Sequence, residues 1–491
     1  MTLWNRRQLL KGAGMTAALC TLRTPLAAQW PRDEEIADAH LALLTSTADQ
    51  PWQKTKILKP SFSFEALNLN LDPSRKTGKA IEGFGACFNE LGWKALEILS
   101  EAERESVLRE LFDPQQGARL NYCRMPIGAN DFSVEAYSYD EQEDDFALAK
   151  FSIDHDKSTL IPFIHAAQKH RPDLRLWASP WTPPTWMKRN RFYAEAAGRA
   201  PFKENGIRPD QIGHEGEDFF IQDARYFDAY ARYFGRFIDA YRSEGINVGM
   251  VMPQNEFNSA QNFPSCTWTP EGLARFIRVL GPEMKRRDVA LFFGTLERGN
   301  PAMLEAVMRD PDAARYIKGM GVQWAGKNAL PRLQQEFPGL AVFQSEQECG
   351  DGSNSWQFSS YCWHLMKHYF RSGAVGYMYW NIALEEGVAS TWGWSQNSLV
   401  TVNRKQRSFR FTHDYVLLKH LTHFVERGAR VIETSGSFDD ALSFINPDGS
   451  VVALLRNEAA HPQRVAVRCG SVDCSFDLPA DSIATMHMMT V

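Results

Sequence analysis

Two glutamates stand at the ends of strand-like runs and could act together on a sugar linkage. The apolar run that starts at Val248 ends in Asn255 and Glu256, and a second run, which starts at Leu340, ends in Glu346. Two carboxylates that face one another are the equipment for hydrolysing a glycosidic bond, because one protonates the leaving oxygen while the other attacks the sugar. The sequence therefore predicts a reaction class, provided that the fold brings these two acids together.

Eight short apolar runs alternate with longer stretches of helical periodicity. This alternation predicts parallel strands with connecting helices, and eight repeats match an α/β (β/α)8 TIM barrel. The C-terminal ends of the strands share one mouth of such a barrel, so Glu256, after the fourth run, and Glu346, ending the seventh, would converge there. A doubly wound open sheet is the alternative, but the chain lacks the glycine-rich phosphate loop that goes with it. The runs are Ile81–Phe88, Leu120–Met125, Leu174–Ser179, Val248–Pro253, Val289–Phe293, Gly319–Trp324, Leu340–Glu346 and Val375–Trp380.

The two ends of the chain predict a second, antiparallel β-domain. After residue 430, short β-like runs are separated by turn signals such as Asn446-Pro-Asp-Gly449. Residues 61–71 alternate in part as a half-buried strand does, and a single strand cannot bury its apolar face alone. The expected division is residues 29–75 as an N-terminal contribution to a side β-sandwich, 76–420 as the catalytic barrel, and 421–491 as the C-terminal part of the β-sandwich.

The first residues predict export rather than a part of the fold. The run Asn5-Arg6-Arg7-Gln8-Leu9-Leu10-Lys11 precedes a short apolar stretch that ends in small residues at Ala28, which is typical of a twin-arginine export signal over residues 1–28. This stretch is too short to span a bilayer, and no other segment is apolar enough. We therefore expect a periplasmic or secreted protein with no stable membrane insertion. Beyond the signal, the pattern around Glu34–Leu44 is helix-like.

Charge and composition exclude several classes of partner. The net charge of −5 leaves no basic footprint for nucleic acid. A metal-dependent hydrolase would need a cluster of histidines and aspartates near the strand ends, which the sequence does not show, and the cysteines show no metal-finger spacing, so we expect no metal site and no cofactor. The 14 tryptophans suit a cleft that stacks on sugar rings, although a tryptophan without a motif is more often a core residue. The oligomeric state is open.

Several distinctive motifs follow one another in a fixed order. They are Glu82-Gly-Phe-Gly-Ala-Cys-Phe88, Arg124-Met-Pro-Ile-Gly-Ala-Asn-Asp-Phe-Ser133, Tyr137-Ser-Tyr-Asp140, Leu176-Trp-Ala-Ser-Pro-Trp-Thr-Pro-Pro-Thr-Trp-Met-Lys188, Pro253-Gln-Asn-Glu256, Gln344-Ser-Glu346 and Tyr379-Trp-Asn381. With this set the chain resembles glycoside hydrolase family 30, the retaining β-glycosidases that include the glucosylceramidases, over residues 60–490. The resemblance implies a barrel joined to a side β-sandwich and a carbohydrate or glycolipid substrate.

The resemblance also implies catalytic roles. Glu256 matches the general acid/base, and Asn255 matches the residue that hydrogen-bonds the sugar 2-hydroxyl. A lone glutamate at the position of Glu256 could instead stabilise a helix N-terminus. Glu346 matches the nucleophile; Glu348, two residues on and on the same side of an extended strand, is the alternative. Arg124 matches the arginine that supports the nucleophile, and a buried structural ion pair is a second, compatible interpretation.

Further residues match the family's substrate pocket. Asp131 and Trp181 match positions that hold the hydroxyls of the terminal sugar in glucosylceramidase-like members. Trp380 and Asn381 match the floor of the pocket on the eighth strand. Trp324 is a candidate for contacting the substrate. For each of these tryptophans, packing in the core is the alternative.

One motif departs from the family, and one pair of tryptophans is ambiguous. Many glucosylceramidase-like members have a His-Trp-Tyr run after the sixth strand, whereas this chain has Gln323 first and Ala325 in the position of the tyrosine. This departure weakens the expectation of glucosylceramide specificity more than that of the chemistry. Trp392 and Trp394, on the loop after the eighth strand, could form a sugar platform or pack against the β-domain.

These observations favour a retaining β-glycoside hydrolase that acts on β-glucosides, of the glucosylceramidase or β-glucosidase type. The alternatives within the family are a β-1,6-glucanase or another β-glycanase or β-glycosidase. A hypothesis of a different class is a carbohydrate-binding protein that has kept the pocket without turnover. The sugar, the aglycone and the choice between chain-end and internal cleavage are not fixed by the sequence.

Overall fold

The computed structural model of the protein describes residues 41–57 and 67–489. The predicted export signal lies outside the described residues, as does the first part of the helix-like stretch Glu34–Leu44. Residues 41–44 of that stretch belong to a strand, so the helix prediction is wrong there. Its successive apolar residues arise because both faces of the strand are covered: Leu43 lies in the core of the β-sandwich and Leu44 in the main core. Within the described part of the chain, we find no helix long and apolar enough to cross a membrane.

The helices and strands alternate over the middle of the chain and give way to strands alone at both described ends. The strands are β1 (Leu41–Ser46), β2 (Gln53–Lys54), β3 (Leu69–Lys76), β4 (Gly83–Cys87), β5 (Tyr122–Pro126), β6 (Arg175–Ser179), β7 (Val248–Val251), β8 (Ala290–Leu291), β9 (Thr295–Leu296), β10 (Gly319–Gln323), β11 (Ala341–Glu346), β12 (Ala374–Glu385), β13 (Ser398–Asn403), β14 (Ser408–Phe411), β15 (Arg430–Ser435), β16 (Ala441–Ile445), β17 (Val451–Asn457), β18 (Gln463–Cys469), β19 (Val472–Leu478) and β20 (Ser482–Met488). The α-helices are α1 (Glu90–Leu96), α2 (Glu101–Phe112), α3 (Leu160–Gln168), α4 (Ala224–Ser243), α5 (Pro270–Arg286), α6 (Ala302–Met308), α7 (Pro311–Ala314), α8 (Leu330–Glu336), α9 (Trp356–Arg371) and α10 (His413–Thr422).

The central strands form the predicted parallel (β/α)8 barrel. Strands β4 to β7 pair in sequence order, and β12, β11 and β10 continue the ring from the other edge of β4. Strands β8 and β9 are two halves of the fifth strand, since β8 pairs with β7 and β9 pairs with β10. Between these halves stands Gly294, whose φ of 122° lies in a region that other residues avoid. Each of the eight predicted runs overlaps one strand of the ring, so the barrel prediction is confirmed.

The inside of the barrel is filled with side chains and supports the polar residues at the mouth. A separate apolar cluster comprises Tyr122, Trp177, Met250, Met252, Phe292, Phe343, Val375 and Met378. Successive side chains of a strand point to opposite faces, so Arg124 follows Tyr122 on the same inward face of β5. The helices cover the outside of the strands with the main core between them. Packed from both sides, the strand ends hold their side chains in fixed positions.

The β-sandwich is built from both described ends of the chain. Strands β1 and β2 pair beside β20, and β3 pairs with β15 and β18, so N-terminal residues complete two sheets of C-terminal strands. Strand β15 belongs to both sheets: its first residues pair with β16, and its later ones pair with β3. The side chains between the sheets, among them Leu43, Leu71, Val465, Phe476 and Met486, form a core of their own. This is the predicted side β-sandwich.

A buried histidine joins the barrel to the β-sandwich. His420, on α10, lies within hydrogen-bond distance of Ser46 Oγ on β1 (2.7 Å from Nε2) and of Thr485 Oγ1 on β20 (2.9 Å from Nδ1). The ring of Trp52 lies over it, with 4.9 Å between ring centroids. A neutral imidazole suits this site, because it can donate with one nitrogen and accept with the other.

We expect this contact to weaken in acid. Burial lowers the pKa of His420 from its ordinary value of 6.5 to about 3, so between these values the unfolded chain binds a proton that the folded protein does not. The free energy of unfolding should therefore fall as the pH drops below 6.5, by up to about 1.4 kcal/mol per pH unit. His420→Gln keeps a donor and an acceptor but does not titrate. In urea denaturation, the free energy of unfolding of this variant should therefore fall less between about pH 7 and pH 5 than that of the wild type. An equal loss in variant and wild type would contradict the assignment.

Candidate active site

The polar side chains at the mouth of the barrel come from the ends of several strands. Arg124 lies on β5, Asn255 and Glu256 follow β7, Gln323 ends β10, and Glu346 ends β11. Parallel strands bring their carboxyl ends to one edge, so residues far apart in sequence become neighbours here. All five side chains are buried.

Arg124 lies at the centre of this cluster. Its Nη1 donates to Glu346 Oε2 at 2.8 Å, and its Nη2 donates to Asn255 Oδ1 at 2.7 Å and to Ser179 Oγ at 2.9 Å. The guanidinium carbon also lies 4.4 Å from the centroid of the Trp181 ring. A cation held by a carboxylate, two further polar groups and an aromatic face is fixed in position, and it supplies Glu346 with compensating positive charge.

Glu346 receives hydrogen bonds on both carboxylate oxygens. In addition to Arg124, the Trp324 Nε1 donates to Oε1 at 3.1 Å and the Gln323 Nε2 lies 3.3 Å from Oε2. Trp324 has a φ of 46°, a left-handed conformation that is costly for a bulky residue and is found where function requires it. Three donors therefore orient this carboxylate across the mouth of the barrel.

Glu256 is held through its backbone and through the same glutamine. Its N–H donates to Thr295 Oγ1 at 2.7 Å, and its Oε1 lies 3.3 Å from Gln323 Nε2. The Thr295 hydroxyl in turn donates to Asn255 Oδ1 at 3.2 Å. The φ of Glu256 is 43°, so the chain turns sharply in the loop that follows the fourth strand. Gln323 thus contacts both candidate catalytic carboxylates with one nitrogen.

Glu348, the alternative to Glu346 in the sequence, lies in a different environment. Its Oε1 accepts from Lys327 Nζ at 2.5 Å, and its Oε2 accepts from Tyr361 Oη at 2.8 Å. Strand β11 ends at Glu346, so the extended conformation that would align the two acids does not continue. The structure therefore brings Glu346, and not Glu348, to Arg124 and Gln323.

The predicted substrate-binding residues divide into two groups. Trp181 and Trp380 lie side by side, 5.4 Å apart between ring centroids, and the Trp380 ring also lies against Phe132, the residue after Asp131. Asp131 is 5% exposed. Asn381, by contrast, is fully buried, and its amide is used by neighbours: Asn89 donates to its oxygen, and its nitrogen donates to Gln396 and Asn397. The structure thus places Asn381 beneath the site as a support, not at its surface.

Glu297 is a third buried carboxyl group beside the acid/base candidate, and the sequence pattern does not indicate it. Its Oε1 accepts from Asn258 N at 3.0 Å and from Ser259 Oγ at 3.2 Å, on the turn that follows Glu256. Burial, with the negative charge of Glu256 adding to it, raises the pKa of Glu297 to about 8. The sequence shows no strand pattern before Glu297, because the fifth strand is broken and its second half, β9, has only two residues.

We expect Glu297 to lower stability at neutral and mildly alkaline pH. With a folded pKa of about 8 and an ordinary value of 4.5, it takes up a proton on folding between these values, so the free energy of unfolding falls as the pH rises above 4.5. Glu297→Gln keeps the acceptor for Asn258 and Ser259 but does not ionise. The variant should therefore unfold at a higher temperature than wild type at about pH 8, with the difference vanishing near pH 4. A pH-independent difference between the two would contradict the raised pKa.

Comparison with known proteins agrees with this architecture. The model of the glycosyl hydrolase family 30 TIM-barrel domain matches residues 81–425, and that of the family's β-sandwich domain matches residues 428–486. Among the described residues, we find no group of three or more histidine, cysteine, aspartate or glutamate side chains that could hold a metal ion.

Individual relatives cover most of the chain. The lysosomal acid glucosylceramidase of Mus musculus is 30% identical over 424 residues, which cover 80% of this chain and 78% of the relative. The endo-1,6-β-D-glucanase neg1 of Aspergillus fumigatus is 23% identical over 441 residues, which cover 84% of this chain and 86% of the relative. The crystal structure of SrfJ from Salmonella typhimurium has the same fold, with a TM-score of 0.79 at 23% identity, covering 92% of this chain and 100% of that one. With both domains matched in order, the chain belongs to glycosyl hydrolase family 30, and it is a hydrolase of glycosidic bonds.

Proposed function

We propose that the protein is a retaining β-glycoside hydrolase that acts on β-glucosides. The observation that carries this proposal is the position of Gln323 Nε2, which lies 3.3 Å from Glu256 Oε1 and 3.3 Å from Glu346 Oε2. The distance between Glu256 Oε1 and Glu346 Oε2 therefore cannot exceed the sum of these two contacts, which is twice 3.3 Å. Carboxyl groups lie about 5–5.5 Å apart in retaining enzymes and about 6.5–9.5 Å apart in inverting ones, which must fit a water molecule between them. The shared glutamine favours the shorter separation.

The mechanism has two displacements. In the first, a Glu346 oxygen bonds to the anomeric carbon while the bond to the leaving oxygen breaks and Glu256 gives its proton to that oxygen. In the second, Glu256 takes a proton from water, whose oxygen bonds to the anomeric carbon as the bond to Glu346 breaks. Water has then been added across the glycosidic bond, both carboxyl groups are restored, and the β configuration is retained.

Asn255 is oriented to donate to the substrate. Its Oδ1 accepts from Arg124, and the Thr295 hydroxyl donates to the same oxygen. These contacts assign the oxygen and nitrogen of the amide, because both partners are donors there. The Asn255 NH2 group is thus the part that would donate to the sugar 2-hydroxyl, a contact that strengthens in the oxocarbenium-like transition state.

The relatives suggest two kinds of substrate. One is a glucosylceramidase and another an endo-1,6-β-D-glucanase, so we infer a β-glucoside as the first candidate and a β-1,6-linked glucan as the second. The second candidate is favoured by Ala325, where the resemblance places a tyrosine in many glucosylceramidase-like members. The first 28 residues support export, so the enzyme would meet its substrate in the periplasm or outside the cell.

Removing the Glu346 carboxylate should abolish turnover. We expect Glu346→Gln to lower kcat on an aryl β-glucoside by about 10⁴-fold or more, because an amide does not form the glycosyl-enzyme. Glu348→Gln is the matched control: it removes a carboxylate two residues away and should cost far less. Initial rates on a panel of aryl β-glycosides measure both. A silent wild type, folded by circular dichroism, would favour the carbohydrate-binding alternative, and full activity in Glu346→Gln would move the nucleophile to another residue.

Removing the Glu256 carboxylate should leave a defect that small anions repair. We expect Glu256→Ala to slow an aryl β-glucoside with a good leaving group about 10²–10⁴-fold, because the second step loses its base. Azide needs no base, so it should restore the rate and yield the β-glucosyl azide. The anomeric configuration of that azide, read by NMR, tests retention. An α-glucosyl azide, or no rescue at all, would contradict the proposed role of Glu256.

A further inference from the structure

The loop after the eighth strand, residues 386–397, crosses the mouth of the barrel, and we call it the arch. On one side, Thr391 Oγ1 donates to Ser133 O at 2.6 Å, in the loop after β5. At its far point, Trp394 Nε1 donates to Asn262 Oδ1 at 3.2 Å, in the loop after β7. Strand β7 lies opposite β12 in a ring of eight strands. The arch therefore spans the half of the mouth above β4, β5 and β6.

The arch is packed into place. Trp394 stacks on Phe202, with 4.2 Å between ring centroids, and Lys203 N donates to Trp392 O at 3.3 Å. Gly393, between the two tryptophans, has a φ of 92°, and a Cβ there would lie 3.0 Å from Lys203 N. The loop after β6 therefore approaches the arch as closely as a glycine permits. The Trp392 ring lies against Tyr193, with 6.3 Å between ring centroids, so both rings pack against barrel loops instead of the β-sandwich that one interpretation of the sequence predicted.

The positions of the catalytic groups orient the sugar relative to the arch. The anomeric carbon must lie between Glu256, after β7, and Glu346, on β11. The opposite end of the sugar ring, which carries the 3-, 4- and 6-hydroxyls, then points across the mouth towards β12, β4 and β5. Trp380 stands on β12, and its indole N–H has no acceptor among the described residues, although it is 1% exposed. A buried donor of this kind is suited to one hydroxyl of a single enclosed sugar.

We infer that the arch closes the glycone side of the site, so that the enzyme removes one sugar at a time from the non-reducing end of its substrate. The inference rests on the proposed function. A second sugar attached to the 3-, 4- or 6-hydroxyl would have to occupy space filled by the arch and by Trp380. The leaving group lies beside Glu256, where the arch ends, and it can extend over the half of the mouth above β8 to β11 that the arch does not span. The enzyme would thus take a large aglycone together with one terminal glucose.

Two aryl glycosides with the same leaving group test this inference. On an aryl β-glucoside, the wild type should release the aryl alcohol at once. On the aryl glycoside of a β-1,6-linked glucose disaccharide, it should release glucose first and the aryl alcohol only after a lag, with intact disaccharide formed at least about 100-fold more slowly. Immediate release of intact disaccharide would overturn the inference and leave the proposed function standing. No hydrolysis of either substrate would overturn the proposed function and the inference with it.

Variants test whether the arch is responsible. Trp394→Ala removes the contact with Phe202 and Asn262, so direct release of disaccharide should rise at least about tenfold relative to release from the monosaccharide substrate. Phe337→Ala is the control, since Phe337 is likewise a partly buried aromatic but follows α8 at the opposite end of the barrel. In this control, the rate of disaccharide release relative to the rate on the monosaccharide substrate should equal that of the wild type. A ratio unchanged in Trp394→Ala, with the variant folded and active on the aryl β-glucoside, would overturn the role of the arch.

Discussion

The positive charge of Arg124 is the constraint on which the mouth of this barrel depends. A fully buried guanidinium needs hydrogen-bond acceptors and a compensating charge, because removing an ion from water costs several kcal/mol. Glu346 supplies the opposite charge and accepts from Nη1, while Ser179 and Asn255 both accept from Nη2. These partners come from the ends of the third, fourth and seventh strands. One cation on the second strand therefore fixes the relative positions of three other strand ends, and the Trp181 ring packs against it.

Two backbone conformations complete this arrangement. Glu256 and Trp324 both have positive φ, Glu256 in the loop after the fourth strand and Trp324 directly after the sixth. Such conformations cost about 1–3 kcal/mol each and persist only where the surroundings hold them. Here the surroundings do so through Thr295, which accepts from Glu256 N, and through Glu346, which accepts from the Trp324 indole. The strain turns each side chain from the direction of its strand into the mouth of the barrel, where the chemistry takes place.

The sequence predicts the regular elements well and the contacts between loops poorly. The barrel strands are readable because each is a short apolar run, and most of these runs have an acid, an amide or an arginine at or shortly after the end. The choice between Glu346 and Glu348 depends on Lys327, which lies some 20 residues away and shows no pairing in the sequence. The sequence does not reveal Glu297, because the two-residue strand before it is too short to show any periodicity. Trp394 was placed on the correct loop, but its partners come from other barrel loops, which local patterns do not reveal.

Gln323 places a hydrogen-bond donor that does not titrate between the two acids of this site. A carboxylate pair at short range repels itself, and the repulsion is relieved either by a shared proton or by a donor placed between the two groups. Gln323 is such a donor to both Glu256 and Glu346, and Ser345 Oγ fixes its orientation by donating to Gln323 Oε1 at 2.9 Å. A histidine in this position could gain or lose a proton near neutral pH, whereas an amide does neither. Gln323 therefore joins the two carboxyl groups without adding a proton-accepting group between them.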